Sequence, residues 1–210
     1  MVRQMRRRAR RLIAVLVPAA VAIGLVACTD PVLRPSSDPA TSAEELAGAA
    51  EYCESQGGEV QQRQPASQTD LGESEWVPLG DPVAVCRFQT LDDDAKSRIY
   101  VDLVTITSDE PTLAALAYLS RAEIPDDPPG NPASALCASL GGTGAFGSSG
   151  RGGGLADPDD ADDPVIVPCT FADGSFIDEW GLAYHADGTV RGKDLSGVFQ
   201  FDQSTLPQLF

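Results

Sequence analysis

The 210-residue chain has one histidine, His185, two tryptophans, Trp76 and Trp180, and no Cys-x-x-Cys spacing among its five cysteines. Each scarcity removes a class of chemistry. A Ser-His hydrolase would rest on His185 alone, and Ser148-Ser149 lacks the nucleophile-elbow pattern, so His185 reads as a surface residue. Cys53, Cys86, Cys137 and Cys169, more than thirty residues apart, do not match the ligand spacing of zinc modules. The acidic runs Asp92-Asp93-Asp94 and 157–163 lack the alternating carboxylates, central glycine and terminal glutamate of an EF-hand loop. Gly142-Thr143-Gly144-Ala145-Phe146-Gly147 fits G-x-G-x-x-G but follows a helical pattern instead of a strand, which makes it a flexible loop and not a phosphate cradle. No cofactor and no metal site are expected.

Basic residues are also few, fifteen against thirty-one acidic, and six of the fifteen fall within the first eleven positions. Arg3, Arg6, Arg7, Arg8, Arg10 and Arg11 precede an apolar segment from Leu12 to Ala27, interrupted by Pro18 and Gly24. A basic start, a short apolar stretch and small residues at its end make an export signal, too short and too broken for a retained anchor. Leu25-Val26-Ala27-Cys28 resembles the lipobox of bacterial lipoproteins. That resemblance implies cleavage before Cys28 and a diacylglyceryl thioether on its sulfur, usually with an acyl group on the new amine. Several acyl chains make such anchoring effectively permanent. Arg10-Arg11-Leu12-Ile13 partly matches a twin-arginine signal, which leaves the export route open. Loss of the leader leaves nine basic residues against thirty-one acidic ones, a formal charge of −22. So acidic a body is repelled by nucleic acid and by anionic lipid surfaces, and no nucleic-acid partner is expected. From Thr29 to Thr41 the prolines among Ser and Asp make a tether that, at about 3 Å per residue, spans some 40 Å.

The remaining cysteines repeat a pattern. Cys53 is followed by Gly57-Gly58, and Cys86 opens Cys86-Arg87-Phe88; Cys137 is followed by Gly141-Gly142, and Cys169 opens Cys169-Thr170-Phe171. The chain contains a duplication. Four cysteines allow three connectivities, and a duplicated unit most simply closes on itself, as Cys53 with Cys86 and Cys137 with Cys169. An exported location favours disulfides, each worth about 3 to 4 kcal/mol for a thirty-residue loop in the chain-entropy model.

Each half opens with a helix. Ser42-Ala43-Glu44-Glu45 is a capping box ahead of Leu46, Ala49, Ala50 and Cys53, with Gly57 as the C-terminal cap. Asn131 caps a second helix that carries Pro132, Leu136, Cys137 and Leu140 and stops at Gly141. Val83 to Phe88 and Val165 to Phe171 are predicted strands, and Arg98 to Thr107 a longer one with Ile99, Val101 and Leu103 on one face. Pro111 to Ala122 reads as a connecting helix. Residues 147–163 read as an insertion in the second cystine loop. Residues 176–185 suit either a short helix capped by Ser175 or a strand running into an Asp187-Gly188 turn. Val198, Phe199 and Phe201 add a strand or dock on the second unit.

Asn131-Pro132-Ala133-Ser134-Ala135-Leu136-Cys137, Gly141-Gly142, Cys169-Thr170-Phe171-Ala172-Asp173-Gly174-Ser175 and Ile177-Asp178-Glu179-Trp180 resemble the DUF333 family of small bacterial lipoproteins, often labelled haemolysins. The first half keeps Tyr52-Cys53, Gly57-Gly58 and Cys86-Arg87-Phe88 but lacks the Asn-Pro-Ala, Asp-Gly-Ser and Asp-Glu-Trp elements. It is similar to a diverged copy. The resemblance implies an envelope lipoprotein module and carries no established activity.

The expected organisation is a signal peptide over 1–27, lipidated Cys28 and tether over 28–41, a first unit over 42–108, a connector over 109–130, a second unit over 131–187 and a C-terminal segment over 188–210. The expected fold is α+β: two small duplicated disulfide-stapled units, each a helix followed by short antiparallel strands. The expected function is a membrane-anchored, extracytoplasmic lipoprotein that binds an envelope protein or cell-wall component without catalysis. Its candidate binding residues are Trp180, Asp178 and Glu179. Two competing expectations are an enzyme acting on an envelope polymer through Asp178 or Glu179, and a structural or stress-related coat protein.

Overall fold

Helix α1 (Pro39–Ser55) starts before the Ser42 box, at a proline whose fixed φ suits a first helical turn. The computed structural model describes residues 39–68, 76–90, 96–128, 130–144, 153–160 and 165–206. The leader, Cys28, Asp92 to Asp94, Ser148-Ser149 and the side chain of Trp76 lie outside the described residues. After α1 come β1 (Glu59–Gln68), β2 (Trp76–Pro78), β3 (Val83–Gln89), β4 (Arg98–Asp102) and a short α2 (Leu103–Thr107). α3 (Leu113–Ser120) connects to α4 (Pro132–Ser139), β5 (Thr143–Gly144), β6 (Gly153–Ala156), β7 (Pro168–Thr170), β8 (Phe176–Asp178) and α5 (Glu179–Ala186). Two 3₁₀ turns, Leu195–Gly197 and Gln203–Thr205, follow.

The fold is α+β, and both expected disulfides are present. Cys53–Cys86 ties α1 to β3 with Cα atoms 5.8 Å apart, and Cys137–Cys169 ties α4 to β7 at 5.6 Å. The two stapled units share one antiparallel sheet of order β2-β1-β3-β4-β8-β7-β5. That order reads the same outward from the β4–β8 junction: β4, β3, β1 on one side and β8, β7, β5 on the other. The register has the same symmetry. Val60, Cys86, Val101, Ile177, Cys169 and Gly144 pair in one continuous row across the sheet, so Val101 corresponds to Ile177, Cys86 to Cys169 and Val60 to Gly144.

Side chains of this row, with Phe88 and Ile99, face the helices and form the main core with Leu103, Ile106, Ala114, Tyr118, Leu136 and Leu182. Alternation sends Val85, Tyr100 and Phe176 to the opposite face, where Leu155 and Ile166 cover them. Arg63 is fully buried there; its guanidinium carbon lies 5.2 Å from the Tyr100 ring centroid and Nη2 is 3.7 Å from Asp157.

The paired glycines have separate reasons. Gly57 and Gly141 hold φ of +82° and +83°, the left-handed turn that ends α1 and α4. Gly58 and Gly142 lie against the disulfides. A Cβ on Gly58 would fall 2.5 Å from Cys86 Sγ and 2.8 Å from Cys53 Sγ, and one on Gly142 would collide with Cys169 and Cys137 in the same way.

Several expectations change. The strand expected over 98–107 ends at Asp102, whose carboxylate caps α2 by accepting from the Thr105 amide. Part of the expected insertion, β6, pairs with β1 of the first unit. Among its described residues the C-terminal segment adds no strand, and around Val198 its hydrogen bonds to the rest of the chain run to the first unit instead of the second: Val198, Phe199 and Phe201 are buried, Tyr52 donates to the Val198 carbonyl at 2.5 Å, and the Gln200 amide donates to the Ile106 carbonyl at 3.2 Å. No helix among the described residues is long and apolar enough to cross a membrane.

We expect Gly58→Ala to cost about 1–3 kcal/mol in denaturant unfolding, as overpacking does. The penalty should shrink in a Cys53→Ala/Cys86→Ala background, because the sulfur atoms it strikes are gone. Equal penalties in both backgrounds would remove the disulfide contact as the reason for this glycine.

Candidate functional site

The segment Asp178-Glu179-Trp180 crosses the symmetry junction, and its three side chains go to three different places. Only one residue pair, Val101 with Ile177, bridges β4 and β8. The neighbouring amides are closed by carboxylates from the partner strand. Asp178 Oδ2 accepts from the Tyr100 amide at 2.8 Å, and Asp102 Oδ2 accepts from the Phe176 amide at 2.6 Å. Each aspartate also caps the helix that follows it, Asp178 accepting from the Gly181 amide at 2.7 Å and Asp102 from the Thr105 amide at 2.9 Å. The first half therefore retains the aspartate of the Asp-Glu-Trp element that its sequence had seemed to lack, with Leu103 and Val104 in the places of Glu179 and Trp180.

The choice between helix and strand for 176–185 resolves into both: a strand to Asp178, then a helix. Asp178, and not Ser175, is the N-cap. Ser175 instead donates to Asp173 Oδ1 at 2.6 Å and accepts from the Ala114 amide at 3.0 Å. Burial pushes the Asp178 carboxyl up to about 6, against the pull of the Tyr100 and Gly181 amides and of Arg191 and Arg98. Burial likewise raises Asp102, opposed by its hydrogen bonds to Thr105 and Phe176.

Glu179 points to the helix side of the sheet and is 2% exposed. Ser134 Oγ, on α4, donates to its Oε2 at 2.6 Å. The carboxyl forms one wall of a cavity of about 200 Å³ lined also by Ala138, Gly142, Thr143, Gly144 and Val167. Burial raises its pKa, opposed by the Ser134 hydrogen bond and reinforced by Asp178.

Trp180 is on the surface, 42% exposed, with Tyr184 one turn later at 40%. Their ring centroids are 5.7 Å apart, and the Arg191 guanidinium lies 4.9 Å from the Tyr184 ring centroid. Beside them, Trp180, Arg98, Tyr100, Asp178 and Arg191 line a second cavity of about 230 Å³.

His185 is a core residue, 3% exposed, and not surface filler. Its ring stacks on Tyr118 at a centroid distance of 3.6 Å, and Arg121 Nε donates to its Nε2 at 3.3 Å. Burial and then the Arg121 charge lower its pKa, so the ring is neutral near pH 7. Among the described residues, no group of three or more His, Cys, Asp or Glu side chains could hold a metal ion.

Ser134, Gly144 and Arg98 stand in the sequence only as members of motifs or of a strand, and neither they nor Arg191 read there as site residues, although aligning the halves on their cysteines sets Ser134 against Ala50. Comparison with known proteins finds no matching family model, no matching curated protein and no matching solved structure.

Asp178→Ala strips the acceptor from two amides, and we expect it to cost about 2–4 kcal/mol in denaturant unfolding at pH 7. The raised Asp178 pKa means that the folded state binds its proton more tightly than the unfolded chain does. Its contribution is therefore fully present below about pH 4 and is lost as pH rises to about 6. Melting temperature should rise as pH falls from 7 to 5, and Asp178→Asn should flatten that slope.

Proposed function

We propose that this chain is a bacterial envelope lipoprotein of the DUF333 type, anchored through acylated Cys28, whose folded body is a non-catalytic binding module. The face carrying Trp180 and Tyr184 is the docking surface for an envelope protein or cell-wall component. The observation that carries this reading is two large aromatic rings held outward on one helix while Leu182 and His185 of the same helix turn inward. Exposed, mutually packed aromatics flanked by arginine have the composition of binding hot spots.

The adjoining cavity narrows the chemistry. Arg98 and Arg191 line it in a body whose net charge is strongly negative, which favours a ligand bearing carboxylate or phosphate groups that stacks against Trp180. A binding module also fits Asp178 better than a glycosidase-like acid/base pair does. Its two oxygens are taken by backbone amides, and its side chain and that of Glu179 line different cavities.

The test is cosedimentation of the lipidated full chain, held in detergent, with insoluble cell-wall material of its host. Trp180→Ala and Tyr184→Ala should each weaken retention about ten-fold or more with an unchanged melting temperature. Cys28→Ala should release the chain from membranes. Retention indifferent to both aromatic variants would overturn the docking surface, and membrane association of Cys28→Ala would overturn the anchor.

A further inference from the structure

The internal repeat supplies a control for the Glu179 cavity. In the first half the equivalent positions are Ala50, Val60 and Leu103, all apolar, with Leu103 inside the main core and Ala50 and Val60 partly buried against it. In the second half they are Ser134, Gly144 and Glu179. The same fold thus lines this position with hydrocarbon in one copy, and in the other sets a carboxyl at the wall of a cavity of about 200 Å³. The difference works against stability, because it removes apolar packing and buries an ionisable group. Folding does not call for it.

Among the described residues, Glu179 is the one charged group that lines the cavity. Ser134, Ala138, Gly142, Thr143, Gly144 and Val167 are neutral, and among the described residues Glu179 Oε1 receives no hydrogen bond from the protein. Gly144 is what leaves that oxygen accessible, since a Cβ there would fall 2.7 Å from it. Anions are repelled by Glu179 and by the charge of the whole body. Divalent metals want several carboxylate or carbonyl ligands, and among the described residues no cluster of metal-ligating side chains lies here. A monovalent organic cation with N–H donors satisfies both the charge and the open oxygen.

We propose that the Ser134–Gly144–Glu179 cavity is a binding site for a primary ammonium group, such as a free peptide side-chain amine or an amino sugar carries. Glu179 pairs with the ammonium, Ser134 fixes the carboxyl from the opposite side, and Val167 and Ala138 contact the attached carbon chain. The site does not rest on the reading of the Trp180 face: Trp180 lines the other cavity, and Val167 is the residue that borders both.

Titration calorimetry of the full chain in detergent with n-butylammonium, butan-1-ol and glucosamine tests it. Binding of n-butylammonium or glucosamine, but not butan-1-ol, is expected; the tighter of the two amines identifies an alkyl or a sugar source. Glu179→Gln should weaken amine binding about ten-fold or more, the worth of one charge-assisted hydrogen bond. Ser134→Ala/Gly144→Val/Glu179→Leu, the side chains of the first half, should abolish amine binding while melting at or above the parent temperature. No binding of either amine to the parent chain, or equal binding by Glu179→Gln, would overturn the site. A first-half triple variant that no longer folds would also overturn it, by making these residues structural.

Discussion

One backbone bridge, Val101 opposite Ile177, joins the central strands of the two halves, which are tied a second time where β6 pairs with β1. A single ladder step is too little to hold two sheets together, so Asp102 and Asp178 complete it. Each reaches across to an amide of the other half and at the same time starts its own helix. The aspartates therefore set the sheet order, the point where the strands stop, and the directions of α2 and α5. Burying two carboxylates is costly, and backbone amides at 2.6 to 2.9 Å offset that cost, helped at Asp178 by the charges of Arg191 and Arg98.

The rest of the core closes around this junction. The disulfides fix α1 and α4 over equivalent strands, while the C-terminal 3₁₀ segment lays Leu195, Val198, Phe199 and Phe201 into the same apolar cluster that holds residues of both halves. Asymmetry was added on this symmetric frame. Strand β6 leaves the second half to pair with β1, α3 separates the copies in sequence, and Leu103 and Val104 stand where the other copy has Glu179 and Trp180. The departures from symmetry are where the two candidate sites lie.

Much of the frame was legible in the sequence. Cysteine spacing and the glycine pairs gave the pairing, and Asn131-Pro132 and Gly141 gave the limits of α4, because caps and left-handed turns are local chemistry. The α2 helix was not legible. Leu103-Val104-Thr105-Ile106 is rich in β-branched residues and continues a strand pattern, and only the position of Asp102 across from Phe176 ends it. His185 was misread for a related reason: its partner Tyr118 comes from a helix more than sixty residues earlier, and a lone histidine carries no periodic signal. Of the candidate site, Trp180 reads from sequence as an aromatic anchor, whereas the Glu179 cavity depends on Gly144 and Ser134, which mean something only beside Val60 and Ala50.

Native-state hydrogen exchange resolved by residue tests the central claim, that the two halves are one cooperative body locked at β4–β8. The Tyr100 and Phe176 amides, each held by the other half's aspartate, should exchange with the same opening free energy as the core amides of β3 and β7. An opening free energy for β7, β8 and α5 that lies well below that of β3 and β4 would mean that the halves unfold separately, and would contradict the account.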